Sequence, residues 1–292
     1  LLLGLAGRYN YYDDNSTATL DTATKFNQSQ KTFLPGLFLQ DEWKLNASHT
    51  LLAGLRYDFH PVHKAIFTPR LAYKWAFSEK EILRINAGTG FRVVNLFTEE
   101  HAALTGARVV EIKEKLKSEK SSNIYIQYSH NIGSRAKNIV LDVSAWFTHF
   151  SNQIIPDYGT DPNKIIYDNL KGHAVSKGIS MNVEASLLQR LKGYVGVTFQ
   201  DVAKFETSGI TKKQRPVLTE SWSANWTLSY SLPLAGLTFD YTGNLYGPMR
   251  LPLLSDWDPR KPLSPVWSLQ NLQVTKWFST KWELYAGLKN LL

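Results

Sequence analysis

The sequence predicts an all-β chain that forms part of an antiparallel transmembrane β-barrel. Three observations lead to this fold class: long stretches of alternating apolar and polar residues, connections that are alternately short and long, and aromatic residues near the strand ends. Alternation with a period of two indicates a strand with two unlike faces, because successive side chains point to opposite sides. No apolar run reaches the roughly 18 residues of a membrane-spanning helix, so any membrane crossing must use strands.

The strands follow from this alternation, which is most regular over residues 179–187 and 221–230. About thirteen strands of roughly ten to fourteen residues fit the pattern, whereas strands of soluble proteins commonly have about five or six. Strands of this length are typical of membrane barrels. The predicted strands cover residues 1–12, 34–45, 50–60, 66–78, 81–92, 119–131, 137–151, 173–187, 191–203, 220–232, 235–248, 264–277 and 280–290.

The connections between these strands alternate in length. Outer-membrane barrels have short turns on the periplasmic side and long loops outside, so the first and last predicted strands both run outward. A short connection at 61–66 is the one exception among the predicted outer loops. The short turns cover residues 46–49, 78–81, 133–137, 188–192, 232–236 and 278–281, and the long loops cover 13–32, 93–118, 152–172, 204–219 and 248–262.

The distribution of aromatic and polar residues agrees with a barrel wall. Aromatic rings lie near both strand ends, for example Trp43 and Trp75 by the short turns and Phe59 and Phe147 by the loops. Amphipathic rings settle at the two membrane interfaces. Polar residues on the opposite face would each cost several kcal/mol in hydrocarbon, so we expect them to line a watery or filled lumen. They include Arg8, Arg56, Asp58, Arg70, Lys74, Arg84, Asn86, Asn123, Gln127, Asp142, Glu184, Gln200, Asp240 and Asn244.

Composition excludes several classes of function. The 292 residues contain no Cys, which excludes disulfide scaffolds, zinc sites built on thiolates, iron–sulfur clusters and cysteine nucleophiles. The formal net charge is +8. Because Arg and Lys are spread over the polar face and the loops rather than forming one stripe, we expect no nucleic-acid partner.

Four segments resemble one family. Residues 90–100 (GFRVVNLFTEE) resemble the G-[FY]-R-x-x-N-[LI]-F-x-E segment of TonB-dependent outer-membrane receptors, particularly the Bacteroidetes-type siderophore and cobalamin receptors. Residues 116–123 are similar to the family's L-K-P-E-K-S-x-N, with Ser118 where proline is usual. Residues 178–184 and 287–291 resemble its G-x-E-like strand and its G-x-x-N-L box. The residues carrying the match are Gly90, Phe91, Arg92, Asn95, Phe97, Glu99, Glu119 and Asn290.

The resemblance covers essentially the whole chain and implies a function. Residues 1–292 would be the β-barrel domain of a TonB-dependent receptor, a piece of a roughly 22-stranded barrel that lacks the plug, the TonB box, the early strands and the last strand. The implied protein lies in the outer membrane of a Gram-negative cell, contacts its lipid, and takes up a scarce ligand with energy from the TonB complex. A ferric siderophore is the expected ligand, with cobalamin, haem, other chelates and glycans left open. The resemblance implies neither a cofactor nor an enzyme activity.

The long loops supply the expected ligand contacts. Basic and aromatic side chains suit an anionic ferric siderophore through charge-assisted hydrogen bonds and stacking. The candidates are Tyr11, Tyr12, Asp14, His60, His63, Glu99, Glu100, His101, Tyr158, Asp161, Lys212, Lys213, Arg215, Arg250, Trp257 and Arg260.

Other functions have weaker support in the sequence. A passive diffusion porin is the alternative from another transport class, and an outer-membrane β-barrel hydrolase is the main enzyme alternative. No nucleophile and base converge, and the S-x-x-K letters at 134–137 fall on a tight turn, so no catalytic residue is predicted. His60 and His63 are spaced as a metal pair but have a proline between them and no third ligand, so no metal site is expected.

Overall fold

The structure is a computed structural model of the chain. It describes residues 1–13, 29–93, 109–134, 137–157, 160–161, 163–187, 190–208, 210–251 and 259–291. Strands dominate these ranges, which contain one short helical element, a 3-10 turn at Pro233–Ala235. Within the same ranges, no helix has the length and apolar character needed to cross a membrane.

The described residues form seventeen strands, numbered here in chain order over two sheets. Their bounds are β1 Leu2–Tyr12, β2 Gln30–Lys44, β3 His49–His60, β4 Lys64–Ala76, β5 Glu81–Arg92, β6 Val109–Ile112, β7 Glu119–Ser134, β8 Lys137–Asn152, β9 Ile154–Asp157, β10 Lys164–Asn169, β11 Gly172–Leu187, β12 Leu191–Ser208, β13 Ile210–Gln214, β14 Trp222–Leu232, β15 Leu237–Tyr246, β16 Trp267–Trp277 and β17 Glu283–Lys289.

The main sheet is an antiparallel meander. Its strands follow the order β1-β2-β3-β4-β5-β7-β8-β11-β12-β14-β15-β16-β17, and β13 pairs with β12 outside this path. The thirteen strands of the path correspond one to one with the predicted strands, which confirms the all-β antiparallel class. Among the described residues the path ends at β1 and at β17, and the sheet does not close on itself.

Each long strand separates its side chains into an apolar face and a polar face. On β11, Ile179 and Met181 are 48% and 53% exposed, although both are apolar. Between them on the opposite face, Ser180 shares a hydrogen bond of 2.9 Å with the hydroxyl of Thr198 on β12. An apolar surface exposed along so many strands requires lipid or another apolar covering. Members of this apolar face include Leu39, Leu55, Phe67, Leu71, Ile124, Ile126, Phe147, Val195, Phe199, Leu228 and Phe239.

Two of the predicted loops contain strands, which corrects the prediction for 93–118 and 152–172. β6, β9 and β10 form a separate three-stranded sheet, called the loop sheet below, in which β6 is parallel to β10. Its core consists of Ile154, Ile165 and Tyr167, with Val110 and Leu116 packed against it. These apolar side chains explain the difference, because burying them stabilises a small sheet.

The loop predicted at 204–219 is also partly wrong. β12 continues to Ser208 and forms a hairpin with β13, in which Phe205 lies opposite Lys213. β12 therefore has 18 residues, more than the alternation predicted. β12 extends beyond its apolar residues because its backbone hydrogen bonds continue into the hairpin with β13.

Candidate functional site

The long-loop end of the sheet carries the predicted ligand contacts, and two motif residues join there. Arg92 and Glu119 lie opposite each other at the ends of β5 and β7, with Arg92 Nε 2.7 Å from Glu119 Oε2. The other carboxylate oxygen of Glu119 accepts a hydrogen bond of 2.9 Å from the backbone N–H of Ile154, where β9 begins. Glu119 is 7% exposed. Arg92 and Glu119 therefore link the loop sheet to the main sheet, which is a structural role.

Two asparagines add further links between the loop sheet and the main sheet. Asn169 Oδ1 accepts a hydrogen bond of 2.9 Å from the backbone N–H of Lys117, and Asn169 Nδ2 donates to the backbone oxygen of Lys115 at 3.0 Å. Asn152 Nδ2 donates to the backbone oxygens of Lys117 and Ser118. Because a buried polar group is costly unless it is paired, these bonds hold the segment 113–119 in one position.

His60 and His63 lie together at the turn between β3 and β4, with their ring centroids 4.7 Å apart. His60 is buried, and its Nδ1 accepts hydrogen bonds from the backbone N–H groups of Val62 and His63. That nitrogen therefore has no lone pair left for a metal. No group of three or more metal-ligating side chains lies together in the part of the chain that the structure describes.

The His63 ring also lies near the segment that precedes β7. Burial lowers the pKa of His63 below its ordinary value, and the nearby charges of His60, Lys115 and Lys120 lower it further. Protonation of this imidazole would place a positive charge beside two lysines. The charges of Lys115 and Lys120 therefore act on the turn at 61–63, which disfavours additional positive charge.

These charges predict that the folded arrangement of the turn at 61–63 and the segment at 113–120 is less stable in acid. The pKa of a histidine in the unfolded chain is about 6.5, and the pKa of folded His63 is lower. The folded arrangement is therefore fully stable above a pH of about 6.5 and loses stability as the pH falls from there toward the folded pKa. Amide exchange at Lys115 and Leu116, corrected for the intrinsic rate, should be faster at acidic than at neutral pH. His63→Gln should remove the difference, and equal protection at both pH values in the unaltered chain would contradict the prediction.

Arg215 and Arg250 were predicted separately from two loops, and the structure brings them together. Arg250 Nη1 donates a hydrogen bond of 3.0 Å to the backbone oxygen of Arg215, and Arg215 Nη2 donates at 3.3 Å to the backbone oxygen of Gln200. Arg215 Nε is buried and has no hydrogen-bond partner within the described ranges. Neither guanidinium pairs with a carboxylate within those ranges. The pair therefore presents positive charge that is available to an anion.

Gln200 and Glu220 position this pair, and sequence reasoning missed their part in it. Gln200 Nε2 donates to the backbone oxygen and to Oε1 of Glu220, at 3.1 and 3.2 Å. An isolated bridge joins Glu220 to Met249, which brings the Arg250 segment alongside. Gln200 was assigned only to the polar face, because alternation gives the face of a residue but not its partners.

The other described candidates are dispersed. The hydroxyl of Tyr11 donates to Asp13 at 2.9 Å, and Lys213 Nζ lies 3.1 Å from Asp201 Oδ2. Asp161 Oδ1 accepts a hydrogen bond from the backbone N–H of Asn163. Tyr12 is half-buried, and Arg260 is exposed. The structure therefore does not unite the predicted residues in a single site.

Several predicted residues lie outside the described residues or are described only in part. Lys212 lies in β13, and Gly90 and Phe91 precede Arg92 in β5. Asn290 follows β17 with φ 57°, a left-handed conformation that asparagine tolerates. The residues outside the described ranges are Asp14, Asn95, Phe97, Glu99, Glu100, His101, Tyr158 and Trp257.

Three solved structures share this fold over 99% of the chain. The ferric enterobactin receptor PfeA of Pseudomonas aeruginosa, solved as a variant, is 17% identical with a TM-score of 0.73 and is matched over 45% of its own chain. The siderophore receptor PirA of Acinetobacter baumannii is 13% identical with a TM-score of 0.74, over 47% of its chain. The FrpB iron transporter of Neisseria meningitidis is 13% identical with a TM-score of 0.70, over 48% of its chain.

The chain thus spans less than half the length of these solved relatives. No curated protein sequence matches it. The family model described as TonB dependent receptor-like, beta-barrel, matches residues 1–291. The family and the meander of long strands agree with each other and with the motif at Arg92 and Glu119. The chain belongs to the TonB-dependent receptor β-barrel family.

Proposed function

We propose that this chain forms part of the wall of an outer-membrane receptor that binds an anionic ferric siderophore and imports it with energy from the TonB complex. The single observation that carries the ligand class is the pair Arg215 and Arg250, whose guanidinium groups have no carboxylate partner within the described ranges. Guanidinium groups bind carboxylate and catecholate-type oxygens through charge-assisted hydrogen bonds. Solved relatives named as siderophore receptors and an iron transporter support this ligand class.

The proposed receptor is a larger protein than the chain itself. We infer that residues 1–292 are one part of a barrel domain, and that a plug, a TonB-binding segment and further strands belong to the same receptor. Among the described strands, β1 and β17 each have one edge without a partner, which supports this, because an open strand edge facing lipid costs several kcal/mol for each unsatisfied backbone group. Import requires no covalent step, and no enzyme activity is proposed.

Reversing the charge of both arginines tests the proposed ligand site. In the full-length receptor, Arg215→Glu with Arg250→Glu should weaken ferric siderophore binding at least about tenfold, because charge-assisted hydrogen bonds contribute about 1.5–3 kcal/mol each. Lys80→Glu with Lys281→Glu is the matched control: it makes the same charge change in short turns at the opposite end of the strands. Binding is measured with radiolabelled iron complexes on purified receptor. Equal affinity in both variants would remove the arginine pair from the ligand site.

Uptake kinetics distinguish the proposal from a passive porin. We expect uptake of the iron complex to saturate and to stop when the TonB complex is deleted or the proton gradient is collapsed. Uptake that rises linearly with concentration and continues without TonB would contradict active transport and would favour the porin alternative.

A further inference from the structure

Charged residues lie on the apolar face where β11 and β12 approach the long loops. Lys177 shares the face of Ile179 and Met181 on β11, because alternate residues of a strand point to the same side. In the register, Lys177 lies opposite Phe147 of β8 on one side and opposite Asp201 of β12 on the other. The Phe147 side chain is 44% exposed. Lys177 and Asp201 therefore mark the edge of the apolar surface.

Two lysines share the carboxylate of Asp201. Lys213 Nζ, from β13, lies 3.1 Å from Asp201 Oδ2, and Lys177 Nζ lies 3.9 Å from the same oxygen. Both lysine side chains are more than half exposed, at 56% and 58%. No other carboxylate of the described residues forms an ion pair with either ammonium group. The three side chains therefore carry one positive charge in excess, and solvent or a ligand can reach it.

Polar rings lie on the same face, beyond the lysines. The imidazoles of His149 and His173 stack with their centroids 5.2 Å apart, and the His173 ring stacks on Phe205 at 4.7 Å. His149 follows Phe147 by two residues on β8, so the face changes there from apolar to polar. Rings with an apolar body and a polar tip are typical of a membrane interface. These rings therefore indicate that Lys177 lies at the depth of lipid headgroups.

We propose that Lys177 and Lys213 bind the phosphate group of an anionic membrane lipid whose acyl chains lie along the apolar face. The inference rests on the proposed function, which places that face in the outer membrane. Lys177 is only about 7 Å along the strand from Ile179, at about 3.4 Å for each residue. One lipid molecule can therefore contact both the ammonium groups and the apolar side chains. Lys213, expected from the sequence to contact the siderophore, contacts lipid in this proposal.

Charge and apolar contact together select the ligand. Ammonium groups bind phosphate oxygens through charge-assisted hydrogen bonds, and the excess positive charge between the two lysines complements an anion. A free phosphate ion would gain these hydrogen bonds but would leave the apolar side chains below Lys177 uncovered. A lipid covers them as well, and each buried CH₂ group contributes about 0.8 kcal/mol. The site therefore favours a phosphate that is attached to acyl chains.

Lipid binding to the purified full-length receptor in detergent tests the proposal. Native mass spectrometry measures the affinity for phosphatidic acid and for diacylglycerol, which has the same chains and no phosphate. Lys177→Gln with Lys213→Gln should weaken phosphatidic acid binding at least about tenfold and leave diacylglycerol binding unchanged. Lys80→Gln with Lys281→Gln, in short turns at the opposite end of the strands, is the matched control and should bind both lipids normally. Equal phosphatidic acid affinity in the two double variants would overturn the proposal.

Asp201→Asn distinguishes a lipid site from a structural ion pair. The carboxylate of Asp201 competes with a phosphate for both ammonium groups. Its removal should therefore strengthen phosphatidic acid binding about threefold, which is in the range of an exposed ion pair. A purely structural cluster would be weakened by the same substitution. Unchanged or weaker phosphatidic acid binding by Asp201→Asn would contradict the proposal.

Inorganic phosphate distinguishes the two sources of the anion. An excess of inorganic phosphate should leave phosphatidic acid bound, and complete displacement would show a site for free phosphate and refute the lipid proposal. These measurements contain no iron complex, so they are independent of uptake. A receptor that binds phosphatidic acid through the two lysines but imports no siderophore would refute the proposed function and retain this inference.

Discussion

Replacing Glu119 with alanine should detach the loop sheet from the main sheet. The substitution leaves the backbone N–H of Ile154 and the guanidinium of Arg92 without the carboxylate that now joins them. A buried donor without a partner costs about 1–3 kcal/mol, and hydrogen bonds to a charged group are the stronger kind. We therefore expect the free energy of local opening of the loop sheet to fall by about 2–3 kcal/mol.

Amide hydrogen exchange measures this effect, with Glu111→Gln as the matched control. Glu111 pairs with Lys164 at 2.8 Å, but both side chains are about 40% exposed, at 42% and 41%. An exposed pair contributes about 0–1 kcal/mol. The Glu119 variant should lose protection at residues 154–157 and 164–169, whereas the control should change little. If both variants lose protection equally, the carboxylate of Glu119 is not the main link between the loop sheet and the main sheet.

Replacing Gly172 with alanine should have a still larger effect, because it disrupts the start of β11. Gly172 has φ +155°, and an added Cβ would lie 1.8 Å from the backbone oxygen of Phe205 on β12. A backbone atom on a central strand cannot move aside as a side chain would. We expect the free energy of unfolding to fall by about 3 kcal/mol or more.

The matched control for this substitution is Gly193→Ala on β12. Its added Cβ would meet Leu228 Cδ1 at 3.7 Å, an ordinary van der Waals distance. Urea unfolding of the receptor in lipid is monitored by heat-dependent gel mobility. The urea midpoint should be lower for Gly172→Ala and should hardly shift for Gly193→Ala. Similar midpoints for the two variants would mean that β11 begins differently from the structure described here.

The strands could be predicted because the alternation of apolar and polar residues continues over many positions and depends only on neighbouring residues. Alternation over ten or more residues determines both the strand and its two faces, and sequential pairing then follows from short turns. Residues 137–151 were predicted for the strand that the structure places at Lys137–Asn152, and 173–187 for the strand at Gly172–Leu187. The ends of β2 and β12 were less accurate, because backbone pairing extends a strand beyond its apolar residues.

The loop sheet could not be predicted in the same way. β6 and β9 have four residues each, too few to show a period, and β6 pairs with a strand that lies more than fifty positions later. The contact between Arg215 and Arg250 depends on the meeting of two loops that are 35 residues apart. The motif indicated that Arg92 and Glu119 matter, but only the register of β5 and β7 showed that they meet.

In the proposed receptor, the apolar face contacts lipid while the polar face lines a lumen. Spin labels on cysteines introduced one at a time at residues 179–183 test it in the full-length receptor in bilayers; the chain contributes no Cys of its own. We expect labels at Ile179, Met181 and Val183 to be accessible to oxygen but not to a water-soluble nickel complex, and labels at Ser180 and Asn182 to lack the high oxygen accessibility. Equal access of the nickel complex to all five positions would show that the two faces do not meet lipid and lumen in this way.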